Sequence, residues 1–261
     1  MAQFSPNGLR IAFTSHRSGS AEIWVCESDG SNPVQLTSFG GPLSRTPRWS
    51  PDGEEIAFDS RAAGNSDIHV VSSRGGKPRR LTSDSAEDHG PSWSRDGKWI
   101  YYASSRSGED QVWKIPVAGG EPVQVTRQGG SANIESPDGE FLYYTKAQRG
   151  STSLWRLSLA RGEETRLVES LSRWSTFAVT ESGVCFFPPS KPDAAAPLQF
   201  LEFASGAVRT IASIEKPPAL GLNVSPDGRV LLYDQFENTD SDLMLVENFR
   251  QPAPPLPSRT R

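Results

Sequence analysis

Cysteine, methionine and histidine are scarce in this chain, and each shortage removes a class of chemistry. The 261 residues hold two cysteines, two methionines and three histidines. Cys26 and Cys185 stand far apart, with no Cys-x-x-Cys and no Cys/His cluster. Zinc centres and thioredoxin-like redox chemistry therefore lack their residues. Both cysteines sit in apolar runs, Ile-Trp-Val-Cys and Val-Cys-Phe-Phe, and read as buried free thiols rather than a disulfide. Long apolar stretches are missing too, and none approaches the roughly 20 residues that span a bilayer. Nor is there an excess of positive charge. Lys+Arg number 27 against 31 Asp+Glu, a net charge of −4, which makes a poor binder of polyanions. The first residues, Met-Ala-Gln-Phe-Ser-Pro-Asn-Gly, carry no basic stretch and no apolar segment. A cytoplasmic location is expected for the chain as it stands, and a periplasmic one if it belongs to a membrane-anchored parent.

What the sequence does have is turns. It holds 23 glycines, 21 prolines and seven tryptophans, the composition of a folded, turn-rich chain that favours all-β structure. One turn recurs. It reads Ser-Pro-Asn-Gly at 5–8, Ser-Pro-Asp-Gly at 50–53, 136–139 and 225–228, Ser-Arg-Asp-Gly at 94–97, and, degenerately, Thr-Glu-Ser-Gly at 180–183. The steps between copies are 45, 44, 42, 44 and 45 residues. Proline presets φ at the first corner, Asp or Asn bonds its own backbone, and glycine accepts a positive φ.

Each turn precedes a β-rich run, such as Arg10–Ser15, Glu55–Ser60 and Trp99–Ser104, and a second run follows a polar loop, as in Glu22–Cys26 and Asp67–Val71. Four short antiparallel strands per 44 residues predict a propeller blade. Counted from the turn serine, position +19 carries Trp24, His69, Trp113, Trp155 and Met244, with Phe200 at +20. Position −1 carries Phe4, Trp49, Trp93, Glu135, Val179 and Val224. Both offsets read as packing between blades, and His69 as a structural substitution for tryptophan. The expected architecture is a single domain over residues 1–249, a six-bladed β-propeller of four-stranded blades with one blade reduced to three strands. A Pro-rich disordered tail is expected over 250–261.

Trp49-Ser-Pro-Asp-Gly53, Ile56-Ala-Phe58, Arg61, Asp67-Ile68-His69 and Leu81-Thr82 together resemble the repeat of TolB-like β-propellers. Glu135-Ser-Pro-Asp-Gly139 with Leu142-Tyr-Tyr144, and the stretch from Ser241 to Phe249, are similar to the propeller of CadC-type winged-helix bacterial regulators. The resemblance implies the fold. It brings no catalytic residues, and no winged-helix segment is present in these residues, so DNA binding by this chain is not expected.

No Gly-x-Ser-x-Gly elbow, phosphate-cradling glycine loop or calcium loop is present. The chain is therefore read as non-enzymatic, with no catalytic residue, metal or cofactor. Propeller ligands tend to sit at the channel mouth, a fold-level analogy. Five residues before the turn the blades carry Arg45, His89, Ser131, Ser175 and Leu220, beside Asp88, Asn133 and Trp174. This variation at a repetitive offset points to a recognition surface of Arg45, Asp88, His89, Asn133 and Trp174. Glu135 joins it as an anomaly, a carboxylate at a core offset that should be paired, shifted or functional. The function expected is a recognition or sensor propeller for a protein or peptide partner, with a small-molecule ligand as a further possibility, in a monomer. The alternatives are the propeller module of a peptidase-type enzyme lacking its catalytic domain, and a small-molecule or metal-binding propeller.

Overall fold

The computed structural model describes residues 1–148, 150–191, 194–237 and 240–246. All regular structure in them is β. Four antiparallel strands in chain order make the first blade: Ala2–Phe4 (β1), Arg10–Ser15 (β2), Glu22–Glu27 (β3) and Val34–Gln35 (β4). The second blade is Ser44–Trp49 (β5), Glu55–Ser60 (β6), Asp67–Ser72 (β7) and Arg79–Arg80 (β8). The third is Asp88–Trp93 (β9), Trp99–Ser104 (β10), Gln111–Pro116 (β11) and Val123–Gln124 (β12). Ser131–Glu135 (β13), Phe141–Gln148 (β14), Ser151–Ser158 (β15) and Glu164–Leu171 (β16) form the fourth. Phe177–Val179 (β17), Gly183–Phe186 (β18), Ala196–Glu202 (β19) and Val208–Ile214 (β20) form the fifth.

The expectation of six blades, one of them three-stranded, is corrected here: among the described residues there are five four-stranded blades. The last repeat forms a separate three-stranded sheet, Pro218–Val224 (β21), Leu231–Glu237 (β22) and Asp240–Val246 (β23). The sequence that follows carries prolines at 252, 254, 255 and 257, which have no N–H to donate to a ladder. The expected tail at 250–261 and the domain end at 249 lie outside the described residues.

The recurring turn works through its serine. Ser50 Oγ accepts from Glu55 N at 2.9 Å and donates to Asp52, whose Oδ1 accepts from Glu54 N at 3.0 Å. The same 2.9 Å serine bond recurs at Arg10, Trp99, Phe141 and Val230. The closing glycines Gly8, Gly53, Gly97, Gly139 and Gly228 have φ between 69° and 75°, which only glycine adopts at no steric cost. The degenerate copy lacks this geometry, and its following strand, Gly183–Phe186, is short.

A second device holds the two-residue outer strands. Thr37, Thr82 and Thr126 each accept a third-strand N–H, from Ile23 (2.9 Å), Ile68 (3.0 Å) and Val112 (2.8 Å). Their hydroxyls donate to Glu22, Asp67 and Gln111. This is the physical content of the Asp-Ile-x and Leu-Thr elements of the repeat.

The core is divided among the junctions between neighbouring sheets. One cluster joins Ile23, Val25 and Leu36 to Trp49, Ile56 and Phe58 across the first and second blades. Another joins Phe4, Ile11 and Phe13 to Leu232 and closes the ring. Closure also uses a bond from Phe4 N to Asn223 Oδ1 (3.0 Å). Cys26 and Cys185 are free and buried, and burial pushes the Cys185 thiol up to about 12. The first strands of each sheet line the axis, and each presents one end at either mouth of the channel.

Candidate functional site

At one mouth a cavity of about 590 Å³ is lined by the starts of the inner strands and the loops that lead into them. Arg45, His89 and Trp174 line it, with His16, Leu43, Thr46, Asp59, Arg61, Glu87, Asp110 and Leu220. A register shift between Arg45 and Arg48 bends β5 at this point. Thr46 has φ +51°, a costly conformation for a β-branched residue. The strain is held by Asp59, which is 1% exposed and accepts the Thr46 hydroxyl in a short hydrogen bond. Asp59 also receives Ser66 Oγ and Gly90 N, each at 3.4 Å, and pairs with Arg45 Nε at 3.4 Å. Arg45 leaves about half of its side chain in water, so its guanidinium stays available at the rim.

His89 and Trp174 meet edge to face, with ring centroids 6.4 Å apart. His89 Nε2 lies 3.5 Å from Asp110 Oδ2. Gly90 has φ +60°, and a Cβ there would stand 3.7 Å from the Trp174 ring. Leu43, 40% exposed, adds apolar surface opposite these polar groups. Glu87 is tied to Arg61 at 2.8 Å.

The other three expected site residues lie elsewhere. Asp88 is fully buried within the third blade. Arg106 Nη2 reaches it at 3.0 Å and also reaches Asp84 at 2.7 Å. Burial raises the Asp88 carboxyl, against bonds from Ser104 and the charge of Arg106. Asn133 lines the narrow waist of the channel beside Trp174, where about 10 Å³ is open. Its Oδ1 accepts Ser92 Oγ at 2.6 Å and its Nδ2 donates to Gly90 O at 3.3 Å, a strut between the third and fourth blades.

Glu135 lines the opposite mouth. At the same offset Trp49 and Trp93 donate their Nε1–H to Gln3 O (3.1 Å) and Arg48 O (2.9 Å) of the preceding blade. A carboxylate cannot donate such a bond. Glu135 makes no ion pair among the described residues, and its buried Oε2 has no hydrogen-bond partner. Burial raises its carboxyl, while the Arg95 N–H, the Tyr101 hydroxyl and Lys114 act in the opposite direction.

The sequence reading did not single out Asp59, Thr46, His16 or Arg48. Arg48 had a signal. Two residues before each turn serine stand Gln3, Arg48, Ser92, Ile134, Ala178 and Asn223, and Arg48 alone of these is charged. Among the described residues no group of three or more His, Cys, Asp or Glu is arranged to hold a metal ion, and no helix is long and apolar enough to cross a membrane.

Residues 1–193 match the family described as the TolB beta propeller domain. The chain belongs to that family. Among solved structures it is similar to TolB from Acinetobacter baumannii, with 19% identity and a TM-score of 0.78 over 94% of this chain. It spans 62% of that protein's length. A candidate TolB from Agrobacterium tumefaciens shares 22% identity, with a TM-score of 0.72 over 94% of this chain and 88% of the other. An oligogalacturonate lyase from Vibrio parahaemolyticus is 13% identical, with a TM-score of 0.64 over 94% of this chain and 73% of the other. At these identities the likeness shows the fold. No curated protein sequence matches the chain.

Proposed function

We propose that this propeller is a non-catalytic recognition module that docks an extended segment of a partner protein at the mouth formed by Arg45, His89 and Trp174. The observation that carries the reading is that mouth's composition. An exposed cation, an imidazole and an indole edge stand around a cavity of about 590 Å³ with Leu43 and Leu220 as apolar wall. Convergent polar groups on an apolar surface suit a peptide, whose backbone and side chains offer both kinds of contact. Asp59 holds Arg45 and Thr46 in place, so part of the site is preorganised. The resemblance at 135–144 extends the reading to the sensor propeller of a longer CadC-type regulator. The kinship with a lyase supports a second, enzymatic reading by fold alone.

The test begins with peptides selected from a random display library against the immobilised chain. Hydrogen exchange with a selected peptide bound is expected to protect residues 43–46, 87–90 and 174. Protection confined to the Ser-Pro-Asp-Gly turns would contradict the proposal.

A further inference from the structure

The opposite mouth is a separate cavity of about 580 Å³, and its lining includes the whole ring at the −2 position. Three consecutive members of that ring are Asn223, Gln3 and Arg48, from the three-stranded sheet and the first and second blades. Gln3 Oε1 accepts Trp49 N at 2.7 Å, and Asn223 Oδ1 accepts Phe4 N at 3.0 Å. A backbone N–H can only donate, so both amide oxygens are committed and both side-chain NH₂ groups are left over. Neither NH₂ makes a hydrogen bond among the described residues, and both amides line the cavity.

Arg48 completes the sector. Its Nη1 donates to Pro47 O at 3.1 Å, and no carboxylate lies within ion-pair distance of it among the described residues. Asp59, the charge that acts on it, is already engaged by Thr46, Arg45, Ser66 and Gly90. Burial lowers the guanidinium only to about 10, so it stays cationic at neutral pH. A largely desolvated cation without a counter-ion is costly unless something anionic meets it.

We infer that Arg48, Gln3 and Asn223 form a seat for a single carboxylate in the floor of this mouth. The guanidinium fork matches a carboxylate in shape, and the two amides supply further donors. Across the channel the ring turns apolar at Ile134 and Ala178, so the body attached to the carboxylate is apolar. Glu135 and Glu181 stand above that side, and Asp227 is occupied by Ser225 Oγ and Arg229 N. Arg95 adds one cation at the rim, outnumbered by these carboxylates, a balance that disfavours polyanions and suits a monocarboxylate. The carboxylate comes from a small organic acid or from the C-terminus of a peptide.

Titration calorimetry with hexanoate and hexanamide tests the seat, together with acetyl-Gly-Leu-Phe carrying a free or an amidated C-terminus. Hexanoate or the free-acid peptide is expected to bind at least tenfold tighter than its amide counterpart, and the tighter of the two acids identifies the source. Arg48→Gln is expected to weaken the acid at least tenfold, and Arg45→Gln at the other mouth to leave it unchanged. Gln3→Glu and Asn223→Asp keep the acceptor that holds the backbone and replace the free NH₂ with a negative charge. Both are expected to abolish acid binding with the melting temperature retained. Acid and amide binding alike, no binding of either acid, or full acid binding in folded Arg48→Gln, overturns the inference.

Discussion

His89 and Trp174 stand edge to face across one channel mouth, their ring planes at 87° although they come from different blades. Trp174 is half-buried against the core cluster of Leu171, Phe177 and Phe186, and Gly90 of β9 lies under its indole. Replacing Trp174 by alanine removes a wall of the mouth and of the waist below it. The expected outcome is a loss of selected-peptide affinity of at least tenfold, measured by titration, with the blades still folded by circular dichroism.

Asp88 acts through the third blade. Arg106 spans Asp84 and Asp88, and its guanidinium also lies over Trp113, 4.8 Å from the ring centroid. Arg106→Ala leaves the fully buried Asp88 without its cation, for which a cost of about 3–5 kcal/mol is expected. Asp88→Asn in the same background should recover part of that loss in urea melts. The raised Asp88 carboxyl binds its proton more tightly folded than unfolded. Its contribution to stability is therefore greatest below the ordinary carboxylate value of 3.8 and is lost as pH rises through its folded value.

His69 is a core residue. Its ring stacks on Phe58 at 5.5 Å, meets Phe39 edge-on at 5.7 Å, and its Nδ1 lies 3.1 Å from Asp67 O. His69→Trp, which restores the residue of neighbouring blades, is expected to change stability by less than about 1.5 kcal/mol. Burial holds the imidazole below its ordinary 6.5. The unfolded chain then takes up a proton that the folded ring resists, so stability is full above about pH 6.5 and falls as pH drops through the folded value. Comparing the parent with His69→Phe in urea at pH 7.5 and 5.5 should show a smaller loss on acidification in the variant.

Two glycines should respond differently to a methyl group. Gly97 sits at φ +69°, where a Cβ would meet only the Pro51 ring at an unstrained 4.0 Å, so Gly97→Ala carries the left-handed backbone penalty of about 1–2 kcal/mol. At Gly183 a Cβ would stand 2.1 Å from Leu201 O and 2.5 Å from the Phe200 ring. Gly183→Ala must push two strands apart, and a cost of about 3 kcal/mol or more is expected in thermal melts.

Much of the fold was legible because one turn chemistry repeats. Arg10–Ser15, Glu55–Ser60 and Trp99–Ser104 form strands at the bounds expected of the β-rich runs after each turn. The number of blades was not legible, because a repeat count does not say whether the last repeat completes a four-stranded blade. The site was half legible. Arg45, His89 and Trp174 do line one mouth, but Glu135 lies at −1 where Arg45 and His89 lie at −5. Four residues of extended strand cover about 13 Å, enough to carry it to the other mouth. Asp88 and Asn133 lie away from the Arg45 mouth for another reason. Pairing with Arg106, and with Ser92 and Gly90, depends on strand register and blade contact that residue type alone does not reveal. The donor-rich sector at Gln3, Arg48 and Asn223 depends on two backbone N–H groups occupying the amide oxygens, contacts between blades that residue type does not reveal.

The most direct test of recognition at the Arg45 mouth is the affinity of one library-selected peptide, bound through internal residues, for two sets of variants. Arg45→Glu with His89→Ala alters the Arg45 mouth, and Arg95→Glu alters the rim of the other. Recognition at the first mouth predicts at least a tenfold loss in the double variant and an unchanged affinity in Arg95→Glu. Unchanged binding by the double variant together with loss in Arg95→Glu would contradict it.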